Sequence, residues 1–163
     1  MQNLEVIKSK ILELPELRRK MAVWNFFLKK VVFTNGCFDI LHLGHLDYLS
    51  KAKQLGDILL IGLNTDDSVR IIKGQNRPIT DQHSRSTFLA SLRFVDGVIL
   101  FNEPTPYNLI NEVKPDILVK GSDYKIHDIV GADIVEQNGG KIITIDYLDG
   151  YSTSSIIEKI RKT

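Results

Sequence analysis

The sequence contains one cysteine, Cys37, among its 163 residues, and this scarcity excludes two kinds of small protein. A single thiol cannot build a disulfide framework within the chain, and it cannot supply a cysteine-rich zinc site. Long apolar runs are also missing, since runs such as residues 58–61 are far too short to cross a bilayer. The sequence therefore predicts neither a disulfide scaffold nor a membrane span.

An excess of charge of either sign is absent as well. Lys and Arg together number 21 and Asp and Glu number 20, which leaves a net charge of +1. The chain then lacks the global field that attracts nucleic acid or an acidic membrane, although a local anion site is compatible with this balance. Residues 1–21 carry many charges and no apolar signal segment. We therefore expect a soluble, cytoplasmic protein that binds neither nucleic acid nor a membrane.

Two glycine-rich nucleotide motifs are missing from the chain. No G-x-G-x-x-G occurs, which argues against a dinucleotide site of the usual kind. The nearest approach to a P-loop, Gly139-Gly140-Lys141, runs into Ile142 and has no upstream glycine, so a P-loop is excluded. If this protein binds a nucleotide, it does so with another motif.

Apolar strand-like segments alternate with helical segments along the chain. The predicted strands are rich in Val, Ile and Leu without polar alternation, which is typical of parallel strands buried on both faces. These strands lie at residues 31–34, 58–63, 97–101, 116–120 and 141–145, and the helices at 44–54, 66–72, 81–93, 107–113, 132–137 and 153–161. The pattern predicts one α/β domain at residues 29–163, with an open parallel sheet of about five strands and helices on both faces. Residues 1–28 are predicted to form an N-terminal helical extension, with Pro15 in the first turn of its second helix.

The segment at residues 34–45 follows the first predicted strand and precedes a helix. Gly36 and Gly44 allow the backbone to turn and to approach a ligand closely. The start of a helix presents unpaired N–H groups to an anion, and His42 and His45 lie three residues apart on one face there. The alternatives are a metal pair, to which Cys37 could add one ligand but for which no further cluster exists, or two unremarkable histidines. We favour a phosphate site.

This segment has the form G-x-F-D-x-x-H-x-G-H, and it resembles the nucleotidyltransferase superfamily that carries the H-x-G-H motif. Within that superfamily it looks most similar to the adenylyltransferase half of the bifunctional ADP-heptose synthases. The similarity continues at residues 64–66, 73–78, 119–124 and 150–153, so it covers nearly the whole chain after residue 29. The resemblance implies a Rossmann-like domain and, because the sugar-kinase half is missing from this sequence, a stand-alone adenylyltransferase.

The resemblance also implies a reaction and a set of site residues. In this reaction AMP is transferred from ATP to a heptose 1-phosphate, and pyrophosphate is released. Mg²⁺ is expected to bind through the triphosphate, with no protein ligand named. A homodimer is also expected. The implied catalytic residues are His42, His45 and Lys73. The implied nucleotide-binding residues are Thr34, Asn35, Gly36, Cys37, Phe38, His42, His45, Gly121, Asp123, Ser152, Thr153 and Ser154. The implied residues for the sugar phosphate are Asp39, Lys73, Arg77 and Arg85.

Several of these residues have a second interpretation. Asp39 is equally suited to cap a turn, and Ser152 at the start of a helix is often only an N-cap. Lys73 and Arg77 could simply form an exposed basic loop, and Arg85 could support a dimer instead of a phosphate. Cys37 has no base dedicated to it, so we do not expect a nucleophilic thiol.

The alternative functions are a CTP-dependent cytidylyltransferase acting on glycerol 3-phosphate or a related alcohol phosphate, and a nucleotide-binding module without turnover. Glycerol-phosphate cytidylyltransferases carry an Arg before the last helix, where this chain aligns Tyr147. Tyr offers a hydroxyl and no cationic fork, so the donor suited to cytosine is missing. The sequence therefore favours ATP over CTP.

Overall fold

Six parallel strands form one open sheet in this structure, a computed structural model that describes residues 3–123, 125 and 128–163. Along the sheet the order is β1-β4-β3-β2-β5-β6. The strands are β1 (Ile11–Leu12), β2 (Val31–Gly36), β3 (Ile58–Asn64), β4 (Gly97–Phe101), β5 (Ile117–Gly121) and β6 (Lys141–Ile145). The predicted α/β architecture is confirmed, with one strand more than expected.

Eight helices are found in the described part of the chain. They are α1 (Asn3–Lys8), α2 (Leu14–Phe26), α3 (Leu43–Lys53), α4 (Asp66–Lys73), α5 (Gln82–Ser91), α6 (Tyr107–Val113), α7 (Ala132–Gln137) and α8 (Thr153–Arg161). Pro15 lies in the first turn of α2, as expected. Helix α5 is shorter than predicted, because Leu92 is extended (φ −65°, ψ 125°) and ends it at Ser91. None of these helices is long and apolar enough to cross a bilayer.

Successive strand residues pack into two separate cores, one on each face of the sheet. In β2, Val31 and Phe33 face a core that includes residues of α2, α6 and α7, whereas Val32 faces a core that includes residues of α3 and α5. The same alternation occurs in β5, where Leu118 joins the first core and Val119 the second. Burial on both faces is why these strands are apolar throughout.

The sequence pattern did not predict β1, a two-residue edge strand. Ile11 and Leu12 pair with Val98 and Ile99 of β4. Leu17 of α2 is completely buried in the first core. The N-terminal residues thus pack against the sheet, and a domain boundary at residues 28 and 29 stays a prediction.

The direction of chain progression reverses between β2 and β5. From β2 the chain adds β3 and then β4 on one side, and it returns to add β5 and β6 on the other. In open parallel sheets, ligands bind in the crevice at the carboxyl ends of strands beside such a switch point. The loops that follow β2 and β5 are therefore the expected position of a site.

Candidate active site

A cleft of about 390 Å³ opens at this switch point. Its walls include the loop after β2, the end of α4, the loop before α6, the end of β5 and the start of α8. The lining side chains with amide, hydroxyl, imidazole or cationic groups are Asn35, His45, Tyr48, Asn64, Lys73, Thr105, Lys120, Tyr147 and Thr153. The fold thus brings together sequence segments that are more than 100 residues apart.

The loop after β2 is shaped by Phe38 rather than by Gly36. Phe38 has a φ of +45°, a conformation that is uncommon for a residue with a side chain. Gly36 is not among the residues with positive φ. Its role is steric, because a Cβ there would meet the Phe38 ring at 3.1 Å. The glycine therefore makes room for an aromatic side chain that is almost fully buried beside the cleft.

The two histidines of the motif stack on each other at the start of α3. Their ring centroids are 3.9 Å apart and their planes differ by 21°. His45 lines the cleft, whereas His42 lies behind it and lines a neighbouring apolar groove. His42 is also the N-cap of α3 but makes no side-chain cap hydrogen bond. The arrangement places one imidazole of the motif in the wall of the cleft.

Gly44 permits this close packing. A Cβ at this position would lie 3.1 Å from both Cε1 and Nδ1 of His42 and 3.1 Å from Cβ of Tyr151. The glycine of the motif is therefore needed because the His42 ring and the segment before α8 both approach the backbone of α3. This agrees with the close approach expected at Gly44, although the close neighbours here are protein atoms.

Burial, together with the smaller effects of the neighbouring His42 and Lys73, lowers the pKa of His45 to about 4. A hydrogen bond to the Ile40 carbonyl partly opposes this shift. Burial also lowers the pKa of His42. Both rings are therefore neutral at pH 7, and a neutral imidazole donates one N–H and accepts at its other nitrogen.

We expect NMR titration of the ring protons of His45 to give a pKa near 4 in the unliganded protein. Since the unfolded chain binds this proton near pH 6.5, the free energy of unfolding should fall as pH drops from about 6.5 to about 4. The His42→Ala variant should raise the pKa of His45, because it removes a like-charged neighbour. A wild-type pKa near 6.5 would contradict this account of the site.

Asp39 anchors the loop that follows α4. Its buried carboxylate accepts hydrogen bonds from Arg77 Nε (2.5 Å) and from the backbone N–H groups of Ile79 (2.7 Å) and Thr80 (2.9 Å). Burial alone would raise the pKa of Asp39, but the two backbone N–H groups and the Arg77 guanidinium outweigh it and lower the pKa. Asp39 therefore anchors this loop, and because it also lines the cleft, a contact with the acceptor stays a prediction. Arg77 is turned to Asp39 and does not line the cleft.

Arg85 lies inside the protein and does not line the cleft. Its side chain has no solvent exposure. It donates to the carbonyl oxygens of Cys37 (2.6 Å) and Thr80 (2.9 Å) and to Oδ1 of Asp66 (2.6 Å). This guanidinium thus joins the loop after β2, the start of α4 and the segment before α5. In this arrangement Nε, Nη1 and Nη2 of Arg85 all donate to protein acceptors, and a contact with a substrate phosphate stays a prediction.

Of the expected nucleotide-binding residues Thr34, Ser152, Thr153 and Ser154, one lines the cleft and the others do not. Thr34 is fully buried, and its hydroxyl pairs with that of Tyr48 (2.8 Å) beneath the cleft. Ser152 caps α8 by accepting from the Ser155 N–H (3.0 Å). Thr153 lines the cleft, whereas Ser154 is exposed and does not. The hydroxyl of this run that faces the site is therefore that of Thr153.

Cys37 and Lys73 lie on the α4 side of the cleft. Burial raises the pKa of the Cys37 thiol, and the nearby cations Lys73 and Arg85 oppose this only in part. A thiol with a raised pKa is a poor nucleophile at neutral pH, which agrees with the expectation that Cys37 is not catalytic. Lys73 is the last residue of α4, is exposed, and acts electrostatically on both Cys37 and His45.

At the end of β5, Gly121 makes room for a tyrosine. A Cβ on Gly121 would lie 2.2 Å from atoms of the Tyr147 ring, and Tyr147 also packs near Tyr48 with ring centroids 5.8 Å apart. Ser122 is not in a positive-φ conformation, so serine fits where the related motif has a second glycine. Asp123 is exposed beyond the cleft lining, and residue 124 of this motif lies outside the described residues.

Lys120 is a cleft residue that was not expected from the sequence, although its neighbour Gly121 was. Lys120 lines the cleft, and its ammonium donates to Oδ1 of Asn35 (2.5 Å). Asn64, at the end of β3, lines the same cleft. A signal for both was present, because each is a polar side chain at the carboxyl end of an otherwise apolar parallel strand.

Two curated bacterial proteins are similar to most of this chain. The protein named "Bifunctional protein HldE" from Citrifermentans bemidjiense is 53% identical over 152 residues, which is 93% of this chain and 31% of that protein. The protein of the same name from Campylobacter jejuni subsp. doylei is 56% identical over 133 residues, covering 82% of this chain and 28% of that protein. This chain therefore spans less than a third of the length of these relatives.

Solved structures share the fold. The lipopolysaccharide core biosynthesis protein from Thermoplasma volcanium GSS1 is 36% identical, with a TM-score of 0.62 over 74% of this chain and 99% of that one. Pantoate-beta-alanine ligase from Francisella tularensis has a TM-score of 0.55 at 16% identity, covering 94% of this chain and 78% of that one, and so shows the fold alone. The cytidylyltransferase-like family matches residues 33–159, which include the whole cleft region from β2 to α8. The chain belongs to the cytidylyltransferase-like family and is a nucleotidyltransferase.

Proposed function

We propose that this protein is an adenylyltransferase that transfers AMP from ATP to a heptose 1-phosphate and releases pyrophosphate. The observation that carries the proposal is the convergence of His45, Lys73 and Thr153 on one cleft at the switch point of the sheet. The HldE relatives, and the lipopolysaccharide core biosynthesis protein that shares the fold, support a heptose phosphate as the acceptor.

The chemistry needs positioning and charge neutralisation rather than a strong base. The phosphate oxygen of a sugar 1-phosphate is already an anion at neutral pH, so it can attack the α-phosphorus directly and in line with the leaving pyrophosphate. In our proposal the His45 imidazole and the start of α3 donate to the triphosphate. Lys73 neutralises charge as the two phosphates approach.

Mg²⁺ enters this scheme as part of the nucleotide substrate, held by phosphate and water oxygens. In the described part of the chain, no three His, Cys, Asp or Glu side chains are grouped so that they could hold a metal ion. The proposal therefore assigns the metal no protein ligand. The homodimer that the resemblance implies also stays a proposal, which the mass of the protein in solution would test.

A cytidylyltransferase acting on glycerol 3-phosphate or a related alcohol phosphate is the second candidate, because the family as a whole is cytidylyltransferase-like. Tyr147 argues against it. This side chain lines the cleft over Gly121, at the position where sequence analysis found that the cytosine-binding Arg is missing. A nucleotide-binding module without turnover is the third candidate, which the presence of His45 and Lys73 in the cleft disfavours.

We expect pyrophosphate release with ATP and heptose 1-phosphate, and a kcat/KM ratio of at least ~10² in favour of ATP over CTP. The measurement offers each triphosphate with heptose 1-phosphate and with glycerol 3-phosphate in parallel. A ratio in favour of CTP would establish the second candidate instead. Nucleotide binding with no pyrophosphate release from any pair would establish the third.

A further inference from the structure

The cleft has fewer cations than the sequence suggested. Arg77 is paired with Asp39, and Arg85 is paired with Asp66 inside the protein. Among the described residues that line the cleft, only Lys73 and Lys120 carry a full positive charge. Two phosphorylated substrates must nevertheless approach each other there. Lys120 is therefore one of the two lysines among the described residues that line the cleft, and the proposed reaction has given it no role.

The sheet holds Lys120 at the switch point. Val119 pairs with Thr34 across the junction of β5 and β2, so the next residues, Lys120 and Asn35, lie side by side at the carboxyl ends of the two strands. The Lys120 ammonium donates to Oδ1 of Asn35. This hydrogen bond orients the ammonium at the cleft, which Lys120 also lines.

Burial makes this charge costly in the unliganded protein. It lowers the pKa of Lys120 to about 8, although the charges of Asp123 and Cys37 favour the ammonium. A bound phosphate would offset the burial, because a nearby anion stabilises the charged form. The titratable groups that line the cleft with Lys120 or act on it electrostatically are Cys37, Asp39, His45, Tyr48, Lys73, Asp123, Asp128 and Tyr147.

We propose that Lys120, together with Lys73, binds the phosphate of the acceptor sugar phosphate, an inference that rests on the proposed function. The triphosphate has other donors in His45 and Thr153. Two side chains that were expected to bind the acceptor phosphate, Arg77 and Arg85, pair with carboxylates of the protein instead. A lysine is a compact point charge that suits a phosphate oxygen.

Both lysines line the same cleft as Cys37. Lys73 lowers the pKa of the Cys37 thiol, and the Cys37 charge raises the pKa of Lys120, so both ammonium groups are within electrostatic reach of the same side chain. An acceptor phosphate above Cys37 would contact both cations. This position keeps the phosphate beside His45, where its oxygen can attack a bound triphosphate.

The test is a kinetic comparison of Lys120→Met, Lys120→Arg and a control, Lys141→Met. Lys141 is an exposed lysine at the opposite end of the neighbouring strand β6. We expect Lys120→Met to raise the KM for heptose 1-phosphate about 10- to 100-fold, the usual effect of losing a hydrogen bond to a charged group. The KM for ATP should stay within about twofold, Lys120→Arg should recover most of the loss, and the control should match the wild type.

A pH profile gives a second readout that a purely structural role would not move. In the wild type, kcat/KM for the sugar phosphate should fall above about pH 8, because Lys120 loses its proton. In Lys120→Arg this decline should disappear, because arginine stays protonated throughout that range. Retention of the same decline in Lys120→Arg would overturn the assignment of the charge to Lys120.

Failure of this inference is distinct from failure of the proposed function. A wild type that turns over heptose 1-phosphate, with Lys120→Met equally active or impaired only in the KM for ATP, leaves the function intact and overturns the role of Lys120. If the wild type does not use heptose 1-phosphate, the function is wrong, and calorimetric titration with inorganic phosphate then tests Lys120. Binding weakened about tenfold or more in Lys120→Met supports the phosphate site, and equal binding overturns it.

Discussion

The His45→Ala variant is expected to lower kcat by roughly 10²–10³, the usual effect of removing one preorganised donor to a developing charge. His45 is the histidine of the motif that lines the cleft, and it is held by stacking on His42 at a centroid distance of 3.9 Å. Its lowered pKa keeps the ring neutral at pH 7 in the unliganded protein, and a bound triphosphate favours the protonated ring, which can donate to the Ile40 carbonyl and to a phosphate oxygen together. The measurement is the rate of pyrophosphate release at saturating ATP and sugar phosphate.

His42 should behave differently, because it does not line the cleft. We expect His42→Ala to lower kcat by about tenfold, through misplacement of the ring that it stacks on. The same variant should raise the pKa of His45, which distinguishes a positioning role from loss of stability alone. His83→Ala is the matched control, since His83 is an exposed histidine of α5 outside the cleft, and it should retain wild-type turnover. Near-full turnover by His45→Ala would refute the role given to this histidine.

Elements of the fold that the sequence predicted well are those with a strong physical signature. Strands β4 and β6 and helices α6, α7 and α8 were predicted with their observed bounds. Their apolar runs are long enough, or their periodicity clear enough, for burial to determine the structure. Strand β1 has no such signature, because its two residues form a strand only through pairing with β4 at the sheet edge. Long-range pairing of this kind is invisible in a local pattern.

The candidate site shows the same division between local and long-range information. Residues 34–45 could be located because a glycine-rich turn, a strand end and a helix start lie together in the sequence. The sequence could not show which basic side chains face the cleft, because the direction of each depends on carboxylates elsewhere in the chain. Arg77 turns to Asp39, 38 residues away, and Arg85 turns to Asp66, 19 residues away. Lys120 instead donates to Asn35, and it lines the cleft.

The Arg85→Met variant should lower the free energy of unfolding by about 3–5 kcal/mol, the range found when one partner of a buried ion pair is removed. Arg85 is completely buried and uses Nε, Nη1 and Nη2 for three separate acceptors. Its loss leaves the Asp66 carboxylate and two carbonyl oxygens without this donor. Since domains are typically stable by only 5–15 kcal/mol, the variant should be close to unfolding at physiological temperature.

The Arg85→Lys variant tests whether charge alone is sufficient. A lysine keeps the positive charge but has one ammonium in place of the planar fork, so it cannot satisfy acceptors on three different segments. We therefore expect it to recover only part of the lost stability. Arg93→Met is the control, because Arg93 is an exposed arginine just beyond the end of the same helix and its replacement should change stability by less than about 0.5 kcal/mol.

The same variants decide between an internal role for Arg85 and the substrate contact that the sequence suggested. Urea unfolding gives the stability, and the KM for the sugar phosphate at a temperature where each variant is folded gives the substrate effect. We expect the loss of stability to dominate, with kcat also reduced because the Cys37 carbonyl and the loop after β2 lose their anchor. Wild-type stability combined with a raised KM for the sugar phosphate would instead mean that Arg85 leaves its internal partners and binds substrate. The distinction is sharp because a guanidinium with three internal acceptors and no exposure cannot contact a phosphate without breaking that network.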